Sequence, residues 1–123
     1  MVDTEHPSRL LLTFDDRFVD EWCSARRLWR EYGAKVTFFV YAWDQLTSDQ
    51  IRRLQELRDD GHTIGCHSLR HQKVPDYVQQ HGPAASVRAA LDPCLGLMRA
   101  PGFSPRSFAY PNSRRPAKTD DLL

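Results

Sequence analysis

Two short clusters of side chains have the types and spacing that metal-dependent chemistry requires. His67 and His71 are four residues apart, so on one helical turn their imidazoles would face the same point. Asp15 and Asp16 are adjacent carboxylates, which repel each other unless a cation lies between them. Two histidines and one carboxylate form a ligand set that binds zinc or a similar divalent ion and leaves open positions for water.

Each cluster also has a simpler interpretation. Two solvent-facing histidines on a helix have the same spacing, and aspartates that follow a strand commonly cap the next turn. The metal interpretation is favoured because both clusters occur in one chain. One aspartate would then coordinate the ion, and the other would accept a proton from water, whose pKa a metal lowers from about 15.7 towards 7.

The elements that must position these clusters alternate between strand and helix patterns. Strands are predicted at residues 10–14, 35–41, 62–66 and 107–110, and the first two read as buried. The helices predicted between them cover residues 20–32, a segment capped by Thr47 or Ser48 that ends near Gly61, and residues 84–98. Pro93 should interrupt or kink the last of these helices. Such repeats predict an α/β fold with a parallel sheet.

In a parallel βα fold the carboxyl ends of the strands share one face, where active sites are built. The aspartate pair follows the first predicted strand, His67 follows the third, and Tyr110 with Pro111 ends the fourth. Because a closed barrel needs about eight units, we expect a single, apparently truncated domain over residues 1–123, with the form of a partial (β/α) barrel. An open sheet edge at residues 107–110 would allow self-association.

The composition is that of an ordinary globular domain. A net charge of +1 gives no reason to expect nucleic acid, and the longest apolar run, residues 36–43, is too short to span a membrane. The N-terminal segment has acidic residues and no secretory signal pattern. Three cysteines without CxxC spacing, Cys23, Cys66 and Cys94, favour free thiols and a cytoplasmic location. Cys66 is expected to be a buried core thiol rather than a metal ligand.

The other aromatic and imidazole side chains have less specific patterns. Trp22, Trp29 and Trp43 are expected to pack in the core rather than to form a sugar platform, with Trp43 as the best exception because it follows a strand. His62 and His81 are expected at the surface or at a strand edge.

Three segments resemble successive motifs of the polysaccharide deacetylases, carbohydrate esterase family 4. They are residues 13–17 (TFDDR), 34–40 (AKVTFFV) and 61–71 (GHTIGCHSLRH). Residues 108–111 (FAYP) resemble the start of that family's third motif. The resemblance runs from about Leu10 to Pro111 in the family's order and spacing.

The resemblance implies a partial barrel and a metal-dependent hydrolase that removes acetyl groups from an N- or O-acetylated carbohydrate. Asp15 would be the general base, while Asp16, His67 and His71 would hold the ion. Zinc is the expected metal, with cobalt or nickel as alternatives.

Four further residues match supporting positions of the family motifs. Ser68 would brace the loop between the two histidines by hydrogen bonding. Tyr110 and Pro111 would lead into Asn112, whose backbone N–H would help to form the oxyanion hole.

Several positions depart from the family pattern. Arg17 stands where the family usually has glycine, and Ala109 and Asn112 stand where an arginine and an aromatic residue often flank the proline. No histidine outside the pair, neither His6 nor His62 nor His81, matches the late motif that supplies the general acid. Since general-acid catalysis typically contributes about 10² to 10⁴ in rate, weak activity is expected of this chain alone.

Two other functions remain open on these residues. One is a catalytically impaired, metal-binding remnant or interaction module that kept the first half of the fold. The other is a metal-dependent hydrolase of amides that are not sugars, which an intracellular location would favour.

Overall fold

A short parallel sheet lies at the centre of the chain. The computed structural model describes residues 8–71 and 74–113. Its strands are β1 (Leu12–Asp16), β2 (Val36–Val40) and β3 (Thr63–Cys66), in the order β1-β2-β3 and all parallel. Asp16 pairs with Val40 and Val40 pairs with Cys66, so the three strands end level with one another. The residues that follow each strand therefore lie along one edge of the sheet, as the sequence predicts.

Helices connect the strands in chain order. They are α1 (Val19–Ser24), α2 (Arg26–Glu31), α3 (Ser48–Asp59), α4 (Val74–His81) and α5 (Pro83–Arg99), followed by a 3₁₀ turn at Pro111–Ser113. The predicted α/β class with parallel βα repeats is confirmed, and the sheet of the described residues is open. None of the helices in the described part of the chain is long and apolar enough to cross a bilayer.

The core forms around the central strand β2. Val36, Phe38 and Val40 alternate with half-buried residues along it and are themselves fully buried, because helices cover that face of the sheet. The ring of Phe38 lies 4.8 Å from that of Trp22. Trp43 is also buried, with its ring 5.2 Å from Phe103. The tryptophans thus pack in the core as predicted, and the exception considered for Trp43 does not apply.

The helix predicted over residues 20–32 is divided in two at Ala25. The N–H of Ala25 is shared between the carbonyls of Glu21 and Trp22, at 3.2 Å each, which tightens the last turn of α1. The indole N–H of Trp29 donates to the same Trp22 carbonyl at 3.3 Å. The Trp22 carbonyl therefore accepts a hydrogen bond that is not part of the regular helical pattern. A second helix, α2, starts at Arg26.

Two features of the second half of the chain differ from the prediction. The sequence predicts no helix at α4 (Val74–His81). In the structure only one of its eight residues, Val74, is buried. Helix α5 continues through Pro93, so the predicted interruption does not occur. Ala90 and Cys94 lie on either side of that proline and both are buried, so the helix is packed on both sides of Pro93.

The fourth predicted strand, residues 107–110, is reduced to one parallel bridge between Cys66 and Phe108. The N–H of Cys66 donates to the Ser107 carbonyl at 3.1 Å, and the N–H of Ala109 donates to the Cys66 carbonyl at 3.0 Å. The position of the segment beside β3 is as predicted, but its extent is not. The ladder stops because β3 ends at Cys66 and the chain turns away at Ser68, whose φ is +63°.

Two predictions of burial are wrong. Strand β1 is not buried, because it pairs only with β2 among the described residues and its three central residues are exposed. His62 is not at the surface: only 5% of it is exposed, its Nδ1 accepts the N–H of Val36 at 3.1 Å, and its ring packs 5.6 Å from Phe38. His81 is exposed at the end of α4, as predicted.

Candidate metal centre

Five side chains line one cavity at the carboxyl ends of the strands. They are Asp15, Asp16, His67, His71 and Asn112, and the cavity has a volume of about 220 Å³. Residues that are distant in the sequence meet there because β1 and β3 end level with each other and residues 107–110 lie beside β3. The fold therefore brings together all five of the residues to which the sequence assigns catalysis or metal binding.

Asp16 is the last residue of β1 and carries the carboxylate nearest to both histidines. Its Oδ1 lies 3.2 Å from Nε2 of His71 and 3.6 Å from Nε2 of His67. The positive φ of this turn, +89°, is at Asp16 itself, whereas Arg17 has an ordinary backbone conformation. The arginine that replaces the family's glycine therefore does not have to adopt a left-handed conformation itself.

His67 is the most constrained of the three. Its side chain is buried, and Nδ1 lies 2.8 Å from the carbonyl oxygen of Ala109. Because a carbonyl only accepts, Nδ1 carries a proton, and Nε2 is the ring nitrogen that faces Asp16 and is available to a metal. Within the described residues this buried Nε2 has no hydrogen-bond partner. A buried polar atom without a partner is costly, and a cation between Nε2 and the Asp16 carboxylate would satisfy both groups.

His71 reaches the same point from a turn rather than from a helix. The prediction that both imidazoles lie on one helical turn is wrong, since Ser68 and His71 have φ values of +63° and +53°. The N–H of His71 donates to Oγ of the buried Ser68 at 3.0 Å, which is the hydrogen bond expected of that serine. The two imidazole centroids are 4.8 Å apart, with the ring planes at 71°.

The histidine loop is held against the residues that follow β2. The N–H of Ala42 donates to the Leu69 carbonyl at 3.0 Å, and the guanidinium of Arg70 meets both carboxylate oxygens of Asp44 at 3.0 and 2.8 Å. Such paired contacts restrict orientation more than a single hydrogen bond does. The loop that carries both histidines is therefore fixed at several points.

The three ligand atoms fit one small divalent ion. Each of Asp16, His67 and His71 offers one ligand atom, and these atoms lie within 4.8 Å of one another. Two ligands about 2.1 Å from a tetrahedral ion are about 3.4 Å apart, close to the separations of Asp16 from the two histidines. The nitrogen and oxygen donors are those that zinc and related ions accept. The carbonyl behind His67 is the type of second partner that metal-bound imidazoles have.

The other predicted residues surround this triad. Asp15 is exposed in the cavity and is not part of the triad. Asn112 follows the buried Pro111 with a φ of +59°, a conformation that asparagine tolerates better than most residues do. Tyr110 is half-buried, with its ring 5.2 Å from Phe108, and it does not line the cavity.

Two residues near the site were not identified from the sequence. Tyr41, the first residue after β2, has its ring 5.0 Å from His71 and 6.3 Å from His67. Its place directly after a central strand was a signal that could have identified it. Ala109 acts through its backbone carbonyl, for which no residue type is diagnostic.

A sequence model of the polysaccharide deacetylases matches residues 3–123. The chain belongs to the polysaccharide deacetylase family. No curated protein sequence matches it. The family motifs coincide with the parts of the chain that build the site, because the matched segments end β1 and β3 and carry the triad of Asp16, His67 and His71.

Solved structures of this family have the same fold. The deacetylase PplD of Streptococcus pyogenes, in complex with acetate, is 23% identical, with a TM-score of 0.71, over 91% of this chain and 50% of that one. A family 4 carbohydrate esterase from Streptomyces lividans, also with acetate, is 22% identical, with a TM-score of 0.69, over 92% and 56%. The chitin deacetylase of the fungal pathogen Colletotrichum lindemuthianum is 21% identical, with a TM-score of 0.71, over 92% and 50%. The chain spans about half the length of these proteins.

Proposed function

We propose that this polysaccharide-deacetylase-family chain binds one zinc ion through Asp16, His67 and His71 and hydrolyses acetyl groups on a carbohydrate. The observation that carries the proposal is the buried Nε2 of His67, which faces the Asp16 carboxylate at 3.6 Å and has no partner within the described residues. A divalent ion between them would satisfy both groups. Cobalt or nickel would fit the same donors.

The residues of the site divide the chemistry among them. A bound divalent ion supplies Lewis acidity, which lowers the pKa of water and polarises the acetyl carbonyl. The carboxylate of Asp15 accepts the proton of the attacking water. The backbone N–H of Asn112 donates to the carbonyl oxygen as that oxygen gains charge. Ser68 and Ala109 hold the two imidazoles in position through the hydrogen bonds of His71 and His67.

An acetylated carbohydrate is the proposed substrate class. The support comes from family membership and from similar proteins that are described as a chitin deacetylase and as acetate complexes of a deacetylase and a carbohydrate esterase. The cavity of about 220 Å³ has room for an acetyl group and part of one sugar ring, and its mouth leaves the rest of a chain outside.

The metal assignment can be tested with two histidine variants of this chain. His71→Ala should lose stoichiometric zinc in elemental analysis, because only Asp16 and His67 of the triad would remain. His81→Ala is the matched control, since His81 is exposed on α4 and outside the cavity, and it should retain zinc. Full zinc occupancy in His71→Ala would overturn the assignment.

The role of Asp15 can be separated from that of Asp16. Asp15→Asn should keep the metal and slow acetate release by at least about 10²-fold, because an amide has the shape of the carboxylate but accepts no proton. Asp16→Asn should weaken metal binding itself. Loss of zinc in Asp15→Asn would instead make Asp15 a ligand.

The substrate class can be tested by comparing different acetylated compounds in the same assay. Acetate release from N-acetylglucosamine oligomers or acetylated xylan, with little from simple acetamides, is the expected result. Preferential cleavage of the acetamides would favour a non-sugar amide hydrolase. Zinc binding without turnover of either would favour a metal-binding module that lacks catalysis.

A further inference from the structure

Two buried thiols lie in contact where β3 packs against α5. Cys66 is the last residue of β3 and is 1% exposed, and Cys94 lies in the C-terminal half of α5 and is 0% exposed. Their Sγ atoms are 2.6 Å apart, across a separation of 28 residues in the sequence. Since the S–S bond of a disulfide is about 2.05 Å long, little movement would be needed to join them.

A cavity lies beside one of the two cysteines. Cys66 forms part of the wall of a cavity of about 460 Å³, together with Leu91, Leu95 and residues 105–108. Cys94 does not line this cavity. Of the two cysteines, Cys66 is therefore the one that a small, uncharged oxidant such as hydrogen peroxide in this cavity would meet, and Cys94 is in contact with it.

We propose that Cys66 and Cys94 are a site of oxidative modification, which a peroxide converts into an intramolecular disulfide between β3 and α5. In the first step an Sγ–O bond forms on Cys66, the peroxide O–O bond breaks, and one water leaves with the thiol proton. In the second step the Cys94 sulfur attacks, the Sγ–Sγ bond forms, the S–O bond breaks, and a second water leaves. The two sulfurs are oxidised and the two peroxide oxygens are reduced, so the step needs no other reactant.

The disulfide would have a mechanical consequence for the fold. It would join α5 to the strand that leads directly into His67, at the point where residues 107–109 pair with β3. A link that closes a loop of this length restricts the unfolded chain, so the Tm should rise by about 10 °C on oxidation. This inference does not depend on the proposed hydrolase activity.

The test begins with the fully reduced protein, treated with hydrogen peroxide and then alkylated in denaturant. The chain has three free thiols when reduced, so the untreated protein should take up three alkyl groups and the oxidised protein one. Peptide mapping should find Cys66 linked to Cys94 and Cys23 alkylated. The same linkage should form in the matched control Cys23→Ser, because the Cys23 thiol lies near Glu56 and away from the pair.

Removal of the second sulfur completes the test. Cys94→Ser should form no disulfide and show no rise in Tm with peroxide. The mapping of the wild-type chain decides the question even if that variant folds poorly. Oxygen added to Cys66 without a link to Cys94, a disulfide that includes Cys23, a link between two chains, or no reaction would each overturn the proposal.

Discussion

The imidazoles of His67 and His62 are each oriented by a hydrogen bond to a backbone group. The Ala109 carbonyl fixes which nitrogen of His67 carries the proton, and the Val36 N–H does the same for His62. The consequences are opposite. Within the described residues, Nε2 of His67 faces a carboxylate in a cavity without a hydrogen-bond partner, whereas Nδ1 of His62 already accepts a hydrogen bond inside the core.

The buried His62 predicts a dependence of stability on pH. Burial lowers the pKa of its imidazole, and the charge of nearby Lys35 lowers it further. Above about pH 6.5 the ring is neutral in both the folded and the unfolded chain, so it has no effect there. As the pH falls below that value, the unfolded chain binds the proton more readily. The free energy of unfolding should then fall, by at most about 1.4 kcal/mol per pH unit, until the lower folded pKa is passed.

Urea unfolding at about pH 7.5 and about pH 5.5 would measure this effect. His62→Asn keeps an acceptor for the Val36 N–H but does not titrate, so it should lose less stability between the two pH values than wild type. His81→Ala, which removes an exposed imidazole, should behave like wild type. Equal pH dependence in wild type and His62→Asn would contradict the prediction.

The site residues could be predicted from the sequence to a large extent because the strand ends determine them. Asp15 and Asp16 are the last two residues of β1 and His67 follows β3, and the order of strands makes them neighbours. What could not be predicted was the path of the backbone. The His67–His71 spacing suggested a helix, whereas a left-handed Ser68 turns the loop.

At the scale of whole elements, the central strand was easier to predict than the edges. Strand β2, which the sequence predicts to be buried, has only buried and half-buried residues and has neighbours on both sides. Residues 10–14 have an equally apolar pattern, but β1 pairs only with β2 among the described residues and stays exposed. Composition describes what a strand can bury, and tertiary neighbours decide whether it does so.

Helix α3 offers a test of local structure. Thr47 caps it: Oγ1 accepts the Gln50 N–H at 3.1 Å, and the Gln50 side chain accepts the Thr47 N–H at 3.0 Å. Thr47→Ala should lower the free energy of unfolding by about 1 kcal/mol, and Thr47→Ser should restore most of it. Ser48→Ala is the control, since Ser48 is the first helical residue and not the cap. A larger loss in Ser48→Ala, measured by urea denaturation, would show that the cap is assigned to the wrong residue.

At the scale of the whole molecule, the sheet has two open sides within the described part of the chain. The sequence predicts an open edge at residues 107–110, and these residues do form only one bridge. The structure adds a second open side at β1. There Leu10 and Leu11 are 81% and 79% exposed and Phe14 is 39% exposed. Apolar residues beside an unpaired strand are a common site of association between chains.

We therefore expect this chain to associate with itself through β1. Size-exclusion chromatography with light scattering should give a mass that rises with protein concentration above that of one chain, 14.2 kDa. Leu11→Lys should restore the monomer mass at concentrations where wild type associates, because a charge at an edge strand disfavours pairing and removes apolar surface. Leu97→Lys is the matched control, since Leu97 is 38% exposed on α5 and away from β1, and it should associate like wild type. If wild type stays monomeric at every concentration, or if Leu97→Lys disrupts association as strongly as Leu11→Lys, the exposed residues at β1 are not the contact.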